Sequence, residues 1–317
     1  MTGHSREMDE AAPGRLRRLA LLVEYEGTRY HGFQSQKNAA SVQDALEGAL
    51  FRLTGERRRI RGAGRTDAGV HAQGQVVSFD TSASYSPDVF VNAMNRYLPD
   101  DISVRDAREV SVDFDPRRWA VSREYRYRIL NAETPSPMLR RFVHLVRKPL
   151  DAEAMRTAAA LLEGERDMAP FSGPLTNGRR SSTRRVYRRS VERRDDLITL
   201  DMVASGFLPQ QVRRTAGTLL EVGLGRLSVR QFEALAGCGI LGAANRVAPA
   251  KGLSLINVTY AVPIFPQEKA TATAFDELLE SLSGSRLAGD ESSSRVVRDT
   301  REEIYKDEPV ATGTRAI

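Results

Sequence analysis

The hydrophobic pattern of the chain alternates between strand-like and helix-like spacing from residue 18 to residue 262. Compact or alternating apolar runs predict strands, whereas apolar residues three and four apart behind a Ser or Asp cap predict helices. The predicted strands are 18–27, 75–79, 101–110, 123–130, 186–191, 197–203 and 252–262. The predicted helices are 41–55, 86–97, 151–164, 209–223, 228–237 and a short one at 274–282. This mixture indicates an α+β protein with helices packed on mainly antiparallel sheets.

The same mixture of strands and helices occurs twice along the chain, which predicts two related halves. We place these halves at 18–115 and 116–266, between an N-terminal arm at 1–17 and a C-terminal tail at 267–317. The arm and the tail are polar, so neither buries enough apolar surface to offset the entropy of ordering it. We expect both to be disordered and the tail to have no catalytic role.

Charge is distributed unevenly. The net charge is +6, with a pI near 9.6. Residues 267–317 contain eleven acidic and seven basic side chains, which leaves about +10 for the rest of the chain. A basic body with an acidic end is typical of a nucleic-acid-binding protein, although a surface made soluble by arginine would give the same balance.

Other compositional features exclude several classes of protein. The single cysteine, Cys238, rules out a disulfide framework or a thiolate metal site and favours a reducing compartment. The four histidines are too scattered for a metal cluster. The longest early apolar run, 19–23, is too short for a secretion signal or a membrane span. We therefore expect a cytoplasmic, metal-free protein without a membrane segment.

Asp67 lies among small residues in the sequence RGAGRTDAGV (61–70). The glycines leave the carboxylate uncrowded and allow a bulky substrate to approach. Arg65, two positions earlier, would face the same side of an extended backbone, so we expect it to pair with Asp67 and keep the carboxylate ionised. Such a carboxylate suits a nucleophile or an electrostatic stabiliser. The alternative is a loop ion pair in which Asp67 only turns the chain.

The motifs that are absent narrow the possible chemistry. The sequence contains no P-loop, no dinucleotide-binding glycine motif, no zinc-protease helix and no nucleophile elbow. No obvious second acid lies in a similar loop, although most glycosidases need two carboxylates. A lone carboxylate can still break a glycosidic bond when the leaving group departs without protonation, as uracil can.

Three further segments combine basic residues with aromatic or apolar ones. Tyr125 alternates with arginines in REYRYRIL (123–130), which suits stacking of an unpaired base or, alternatively, a half-buried strand. Residues 179–194 contain eight arginines, which would form a phosphate track or a solvated strand face. Arg213 and Arg214 lie in an apolar helix behind SGFLPQQ, from which an arginine would reach into a cleft.

Five sequence blocks, taken together and in this order, resemble the bacterial tRNA pseudouridine synthase A family. The resemblance extends over about residues 18–262, and the GRTDAGVH string is its most specific part. The blocks are YEGTRYHGFQSQ (25–36), GRTDAGVHAQGQVV (64–77), REYRYRI (123–129), GFLPQQVRRTAGTLLEVG (206–223) and APAKGLSL (248–255).

The resemblance implies a pseudouridine synthase fold, in which two related α/β halves with mixed, mainly antiparallel sheets flank a basic central cleft. It implies isomerisation of uridine to pseudouridine at positions 38, 39 and 40 of the tRNA anticodon stem-loop, without a cofactor or a metal. It also implies a homodimer in which one tRNA contacts both subunits. Asp67 matches the catalytic aspartate, Tyr125 the tyrosine that stacks on the target base, and Arg213 the arginine that pairs with the aspartate.

We therefore predict Asp67 as the nucleophile, assisted by Arg65, Tyr125 and Arg213. Two rival functions remain open: a non-catalytic RNA-binding protein of the same fold, and an aspartate-dependent hydrolase that would release free uracil. The residues predicted to contact substrate are Tyr125, Arg61, Arg179, Arg180, Arg184 and Arg214.

Overall fold

The computed structural model describes residues 16–175 and 181–265, together with Glu277, Leu279 and Ser281 of a short C-terminal helix. Ten strands and five α-helices lie within residues 16–265. The strands are β1 (Arg17–Tyr25), β2 (Arg61–Gly62), β3 (His71–Thr81), β4 (Ile102–Val110), β5 (Ala120–Leu130), β6 (His144–Leu145), β7 (Gly164–Asp167), β8 (Thr183–Arg194), β9 (Leu197–Ala204) and β10 (Leu253–Tyr260). The helices are α1 (Val42–Thr54), α2 (Pro87–Tyr97), α3 (Ala152–Ala160), α4 (Gln211–Gly223) and α5 (Val229–Gly237).

The predicted helix starts agree with the structure, and two of them show the expected cap. The Ser41 side chain accepts a hydrogen bond from the backbone N–H of Asp44, and Asp151 accepts one from Ala154. These bonds satisfy N–H groups that have no partner within the helix. Ser86 precedes α2 without such a bond, so the proline that follows it determines the start of that helix.

All ten strands belong to one sheet. Its main order is β4-β1-β3-β10-β5-β9-β8-β7, with β2 beside β3 and β6 beside β5. Neighbours along the main order are antiparallel except β3 and β10, which run parallel with Ser254 opposite His71. The mainly antiparallel character is as predicted. Because β10 lies between β3 and β5, the last strand joins the two parts of the chain into a continuous sheet.

The helices cover the sheet in two groups. The first group is α1 and α2, with α2 packed on β4. The second group is α3, α4 and α5, with α3 packed on β8 and α4 contacting β5. Within the residues described, no helix has the length and apolar content needed to cross a bilayer.

The predicted domain limits are only partly covered. The boundary at 115/116 falls in the connection between β4 and β5, and the two halves remain a prediction. Residues 1–15 of the arm lie outside the described residues, and so does all of the tail except the three helical residues. One of those three, Leu279, is buried against a cluster of Leu130, Leu139, Val143 and Leu197. This contact with the body was not expected from the polar composition of the tail.

Candidate active site

Asp67 lies in the loop between β2 and β3. The Val70 N–H donates a hydrogen bond to the Asp67 carbonyl at 3.1 Å, and Gly69 has a φ of +76°, so a tight turn begins at Asp67. Thr66 is buried, with its hydroxyl 2.8 Å from that of Tyr25 on β1. The loop is therefore held on both sides of Asp67, whose side chain stays 35% exposed.

The segment 25–36 packs against this loop and hydrogen-bonds to it. Gly27 packs so closely that a Cβ atom there would lie 2.0 Å from the Val70 carbonyl oxygen. The Phe33 N–H donates to the Thr66 carbonyl at 3.2 Å. Two of the five sequence blocks thus meet at Asp67, and backbone contacts define the position of the carboxylate.

Arg213, near the start of α4, is the ionic partner of Asp67. Its Nη1 donates to Asp67 Oδ2 at 3.0 Å, and its Nε donates to the Ala248 carbonyl at 2.9 Å. The Ala248 N–H in turn donates to the Arg213 carbonyl at 3.0 Å. The pairing implied by the resemblance is therefore present, and the segment 248–255 holds the guanidinium against the carboxylate.

Arg65 does not pair with Asp67, so that part of the sequence prediction is wrong. The two residues do line the same cavity. Arg65 is exposed, however, and it has no ion pair within the described part of the chain. The carboxylate is engaged instead by Arg213, whose guanidinium is anchored at a backbone carbonyl and is only 17% exposed.

Tyr125 on β5 faces the loop that carries Asp67. The residue is 8% exposed, and its ring contacts Phe207 edge to face, with the centroids 4.9 Å apart. A Cβ atom on Gly64 would lie 3.7 Å from the Tyr125 hydroxyl. Burial raises the pKa of Tyr125 well above its ordinary value, and the nearby Tyr25 and the charge of Asp67 raise it further. The phenol is therefore protonated at neutral pH.

A cavity of about 730 Å³ opens over Asp67 and Tyr125. This volume lies within the usual range for ligand sites, about 300–1,000 Å³. Asp67 is the one acid among the described residues that line it. The arginines that line it are Arg65, Arg117, Arg123 and Arg184. Such a cavity attracts a polyanion while presenting a single carboxylate for chemistry. No group of side chains suited to hold a metal ion occurs in the described ranges.

The structure separates Arg214 from Arg213. Arg214 Nη1 donates to the Ala244 carbonyl at 2.9 Å, and its Nε donates to Gln210 Oε1 at 3.2 Å. Gln210 has a left-handed φ of 58°, a conformation that costs about 1 kcal/mol or more for a residue with a side chain. Arg214 thus supports the turn that begins α4, and it is not among the cavity residues. Its predicted contact with substrate is not favoured by this position.

The other predicted substrate contacts are dispersed. Arg184 lines the cavity, where it donates to the Ser181 and Thr183 carbonyls. Arg61 is exposed on β2 and is not among the cavity residues. Arg179 and Arg180 lie outside the described residues. Of the arginines that were predicted to bind substrate and that the structure describes, only Arg184 lines the cavity that contains Asp67.

His71 has a structural role for which the sequence analysis gave no indication. The residue is 3% exposed, and its Nδ1 accepts a hydrogen bond from the Gly27 N–H at 3.0 Å. The other nitrogen, Nε2, therefore carries the proton and donates to the carbonyls of Arg141 and Lys251, at 2.9 and 3.2 Å. Burial lowers the pKa of His71, against an opposing effect of Glu26. A neutral imidazole thus joins three loops directly behind the Asp67 turn.

We expect the free energy of unfolding to fall as the pH drops below about 6.5. The pKa of His71 is lower in the folded protein than its unfolded value of 6.5, so the unfolded chain takes up a proton that the folded chain resists. The stabilising effect of the neutral form is complete above that pH and is lost below it. Denaturant unfolding at pH 8.0 and 5.5 would measure the difference.

The variant His71→Gln is expected to lose part of this pH dependence, whatever its overall stability. The matched control is His31→Gln, because His31 is exposed. An unchanged difference between the two pH values in His71→Gln would contradict the assignment. His144, whose pKa is also lowered by burial, would account for the remaining dependence.

Comparison with known proteins identifies the family to which the chain belongs. A family model described as tRNA pseudouridine synthase matches residues 21–117 and 158–261, which include Asp67 and Arg213. The chain belongs to the tRNA pseudouridine synthase family. Members of this family are isomerases that convert uridine to pseudouridine in tRNA. The resemblance noted in the sequence is thus confirmed, and the matched segments end before the acidic tail.

Individual relatives agree with the family assignment. The tRNA pseudouridine synthase A of Acetivibrio thermocellus is 41% identical over 245 residues, which cover 77% of this chain and 100% of the relative. That of Pelobacter propionicus is 43% identical with the same coverage. That of Myxococcus xanthus is 44% identical and covers 77% of this chain and 92% of the relative.

Proposed function

We propose that the protein isomerises uridine to pseudouridine at positions 38, 39 and 40 of the tRNA anticodon stem-loop, with Asp67 as the catalytic carboxylate. The observation that carries this proposal is the Asp67–Arg213 pair at an arginine-lined cavity with Tyr125 beside it. The family assignment supports tRNA as the substrate. The position of these targets also favours the proposal, because a nucleotide in a loop or at the end of a helix leaves its stack at less cost than one within a long duplex.

The reaction requires no external energy source or cofactor. The bond between ribose C1′ and uracil N1 breaks, the base turns, and a bond forms between C1′ and C5. The proton on C5 leaves, and N1 of the product carries one, so atoms and charge balance. The protein must therefore hold the nucleotide, stabilise the sugar while the base is detached, and move one proton.

Asp67 is positioned for the sugar step. Its carboxylate would either attack C1′ as uracil departs or remove a proton from C2′ to give a glycal; both routes use the same residue. Arg213 would orient the carboxylate through the fixed contact at Ala248. The cavity arginines, including Arg184, would bind the flanking phosphates.

Tyr125 would serve the C5 proton step as well as stacking on the base. The charge of Asp67 helps to raise the pKa of Tyr125 in the free protein. When Asp67 becomes bonded to the sugar that charge disappears, so the phenol would pass its proton to N1 of the reattached base more readily, and the phenolate would then take the proton from C5. We therefore expect Tyr125→Phe to slow the reaction by about 100-fold and to change tRNA affinity little.

Two measurements separate these effects for Tyr125→Phe. Filter binding gives the tRNA affinity, and release of tritium from tRNA labelled at uridine C5 gives the rate. A control at the neighbouring aromatic position is Tyr127→Phe, whose hydroxyl donates to the Pro249 carbonyl. A wild-type rate in Tyr125→Phe would show that the hydroxyl has no part in the proton step and that the residue only stacks on the base.

The direct test of the function is to map the product. After tRNA is incubated with the protein, a carbodiimide that marks pseudouridine should produce reverse-transcription stops at positions 38, 39 and 40 where uridine occurs. Bound but unmodified tRNA would favour the non-catalytic RNA-binding alternative. Free uracil in the mixture would favour the hydrolase.

We also propose a cytoplasmic homodimer in which one tRNA contacts both subunits, as the resemblance implies. Arg61, which is not among the cavity residues, would then contact a more distant part of the tRNA, and Arg179 and Arg180 would also contact the tRNA. Sedimentation of the protein alone and with tRNA tests this arrangement. Two protomers for each bound tRNA is the expected ratio.

A further inference from the structure

Trp119 is the single tryptophan of the chain, and it is 51% exposed in the turn that leads into β5. Asp115 fixes this turn. Its carboxylate accepts hydrogen bonds from the N–H groups of Arg117 and Arg118, each at 2.9 Å, and its carbonyl accepts one from Trp119 at 3.0 Å. The exposed indole is therefore presented by an ordered backbone.

Packing on one side orients the indole. Phe114, which is 2% exposed, meets Trp119 edge to face, with ring centroids 5.5 Å apart and an interplanar angle of 86°. Phe114 itself packs on Tyr260 at 5.3 Å. A large aromatic group held in this way has little conformational freedom left to lose on binding. An exposed indole that is held in this way is well suited to stack on a ligand.

The indole lies at the end of a surface that begins in the cavity. Side chains two apart on a regular strand share a face, so Arg123 and Tyr125 on β5 lie on one side, whereas a bulge at Val121 interrupts the alternation before them. Arg123 and Tyr125 line the cavity, and Val121 is 46% exposed. Arg123 Nη2 also donates to the Arg117 carbonyl at 2.6 Å. Trp119 follows Arg117 by two residues, and Arg117 also lines the cavity, so the indole lies close to the cavity along the chain.

We propose that Trp119 is a stacking platform for an unpaired base of the RNA substrate, outside the cavity and a few nucleotides from the reacting uridine. This inference rests on the proposed function, because it takes the target nucleotide to lie at Asp67. Arg117 and Arg118, both exposed, would contact the phosphates beside the stacked base. An aromatic ring flanked by arginines suits single-stranded RNA, because every base has a face that stacks.

Charge favours RNA over a second copy of the chain on this surface. Asp113 and Asp115 offset Arg117 and Arg118 in the turn itself, so the positive charge comes from the adjoining cavity, which four arginines and one acid line, and from residues 1–266, which carry about +10. Two such surfaces would repel each other, whereas a phosphate backbone would be attracted. The occupant is therefore taken to be RNA, and self-association is a separate outcome of the test.

Tryptophan fluorescence tests the contact directly, because all indole emission comes from position 119. The probes are an anticodon stem-loop RNA and a fully paired RNA duplex of equal length, each titrated into the wild-type protein. We expect the stem-loop to quench the emission with a midpoint at its Kd, and the duplex to quench it far less. Equal quenching by both RNAs, or by neither, would overturn the stacking.

Variants give an independent measurement. Trp119→Ala should weaken stem-loop binding by about fivefold or more, and Trp119→Phe by less, because a smaller ring still stacks. The matched control is Tyr97→Ala, which removes another aromatic residue, 40% exposed, at the end of α2. Arg118→Ala should reduce the slope of log Kd against log salt by about one, whereas Trp119→Ala should leave that slope unchanged.

The outcomes separate this inference from the proposed function. Unchanged affinity in Trp119→Ala, with normal pseudouridine formation, would overturn the platform and leave the function intact. Quenching by the stem-loop without any pseudouridine product would support the platform and overturn the function. A change in sedimentation of Trp119→Ala, with RNA affinity unaltered, would show that the indole contacts a second protomer and would also overturn the platform.

Discussion

Asp67→Asn is expected to lower pseudouridine formation by about 1,000-fold or more, while tRNA affinity and the unfolding transition stay close to wild type. Asparagine has nearly the same shape, and its amide oxygen can still accept a hydrogen bond from Arg213. It cannot form the bond to the sugar or take up a proton from it. The loop is held by backbone contacts to Val70, Thr66 and Phe33, so its conformation does not depend on the charge at position 67.

Three measurements on Asp67→Asn separate catalysis from folding and binding. Tritium release from tRNA labelled at uridine C5 gives the rate, filter binding gives the affinity, and a denaturant titration gives the stability. The matched control is Asp113→Asn, because Asp113 is an exposed acid outside the cavity. A normal rate in Asp67→Asn would remove the basis of the proposed mechanism. If Asp67→Asn lost tRNA affinity but converted bound tRNA at the wild-type rate, Asp67 would be a binding residue.

Three of the sequence blocks converge on this one carboxylate, which explains their spacing along the chain. The segment 25–36 underlies the Asp67 loop, the helix from 211 supplies Arg213, and the segment 248–255 supplies the carbonyl that anchors it. These blocks are far apart in sequence, so no local rule relates them. The family resemblance grouped these blocks, and their contacts around Asp67 give the physical reason why they occur together.

The helices could be predicted because their signals are local. Ser41 and Asp151 cap the residues that follow them, as their positions before apolar periodic segments indicated. The place of β10 could not be predicted in the same way. Its parallel pairing with β3 involves only Ser254 with His71 and Leu255 with Ala72, a non-local contact without a pattern in either segment.

The predicted pairing of Arg65 with Asp67 is wrong, whereas the predicted substrate contact of Arg214 stays a prediction. Arg65 lines the same cavity as Asp67, but the sequence could not show that a guanidinium from α4 already occupies Asp67. For Arg214, the sequence alone indicates a direction different from that of Arg213, because successive residues on a helix point about 100° apart. If Arg213 faces Asp67, its neighbour must face elsewhere, and in the structure it binds the Ala244 carbonyl.

Arg213→Ala is expected to lower the rate by about 100- to 1,000-fold, with a smaller effect on tRNA affinity. The guanidinium binds the carboxylate and the Ala248 carbonyl at the same time, so its loss leaves Asp67 charged but without a fixed direction. Arg213→Lys should recover only part of the rate. A lysine ammonium keeps the charge but cannot reproduce the planar fork that joins both acceptors.

The double variant distinguishes positioning from direct RNA binding. If Arg213 acts through Asp67, adding Arg213→Ala to Asp67→Asn should cause little further loss, because the group to be positioned is already inactive. If Arg213 instead contacts RNA, the two losses should multiply and the second should appear mainly in Kd. The matched control is Arg226→Ala, which removes an exposed arginine paired with Glu221 beyond the end of α4. Equal losses in Arg226→Ala would show that general charge, and not the contact at Asp67, sets the rate.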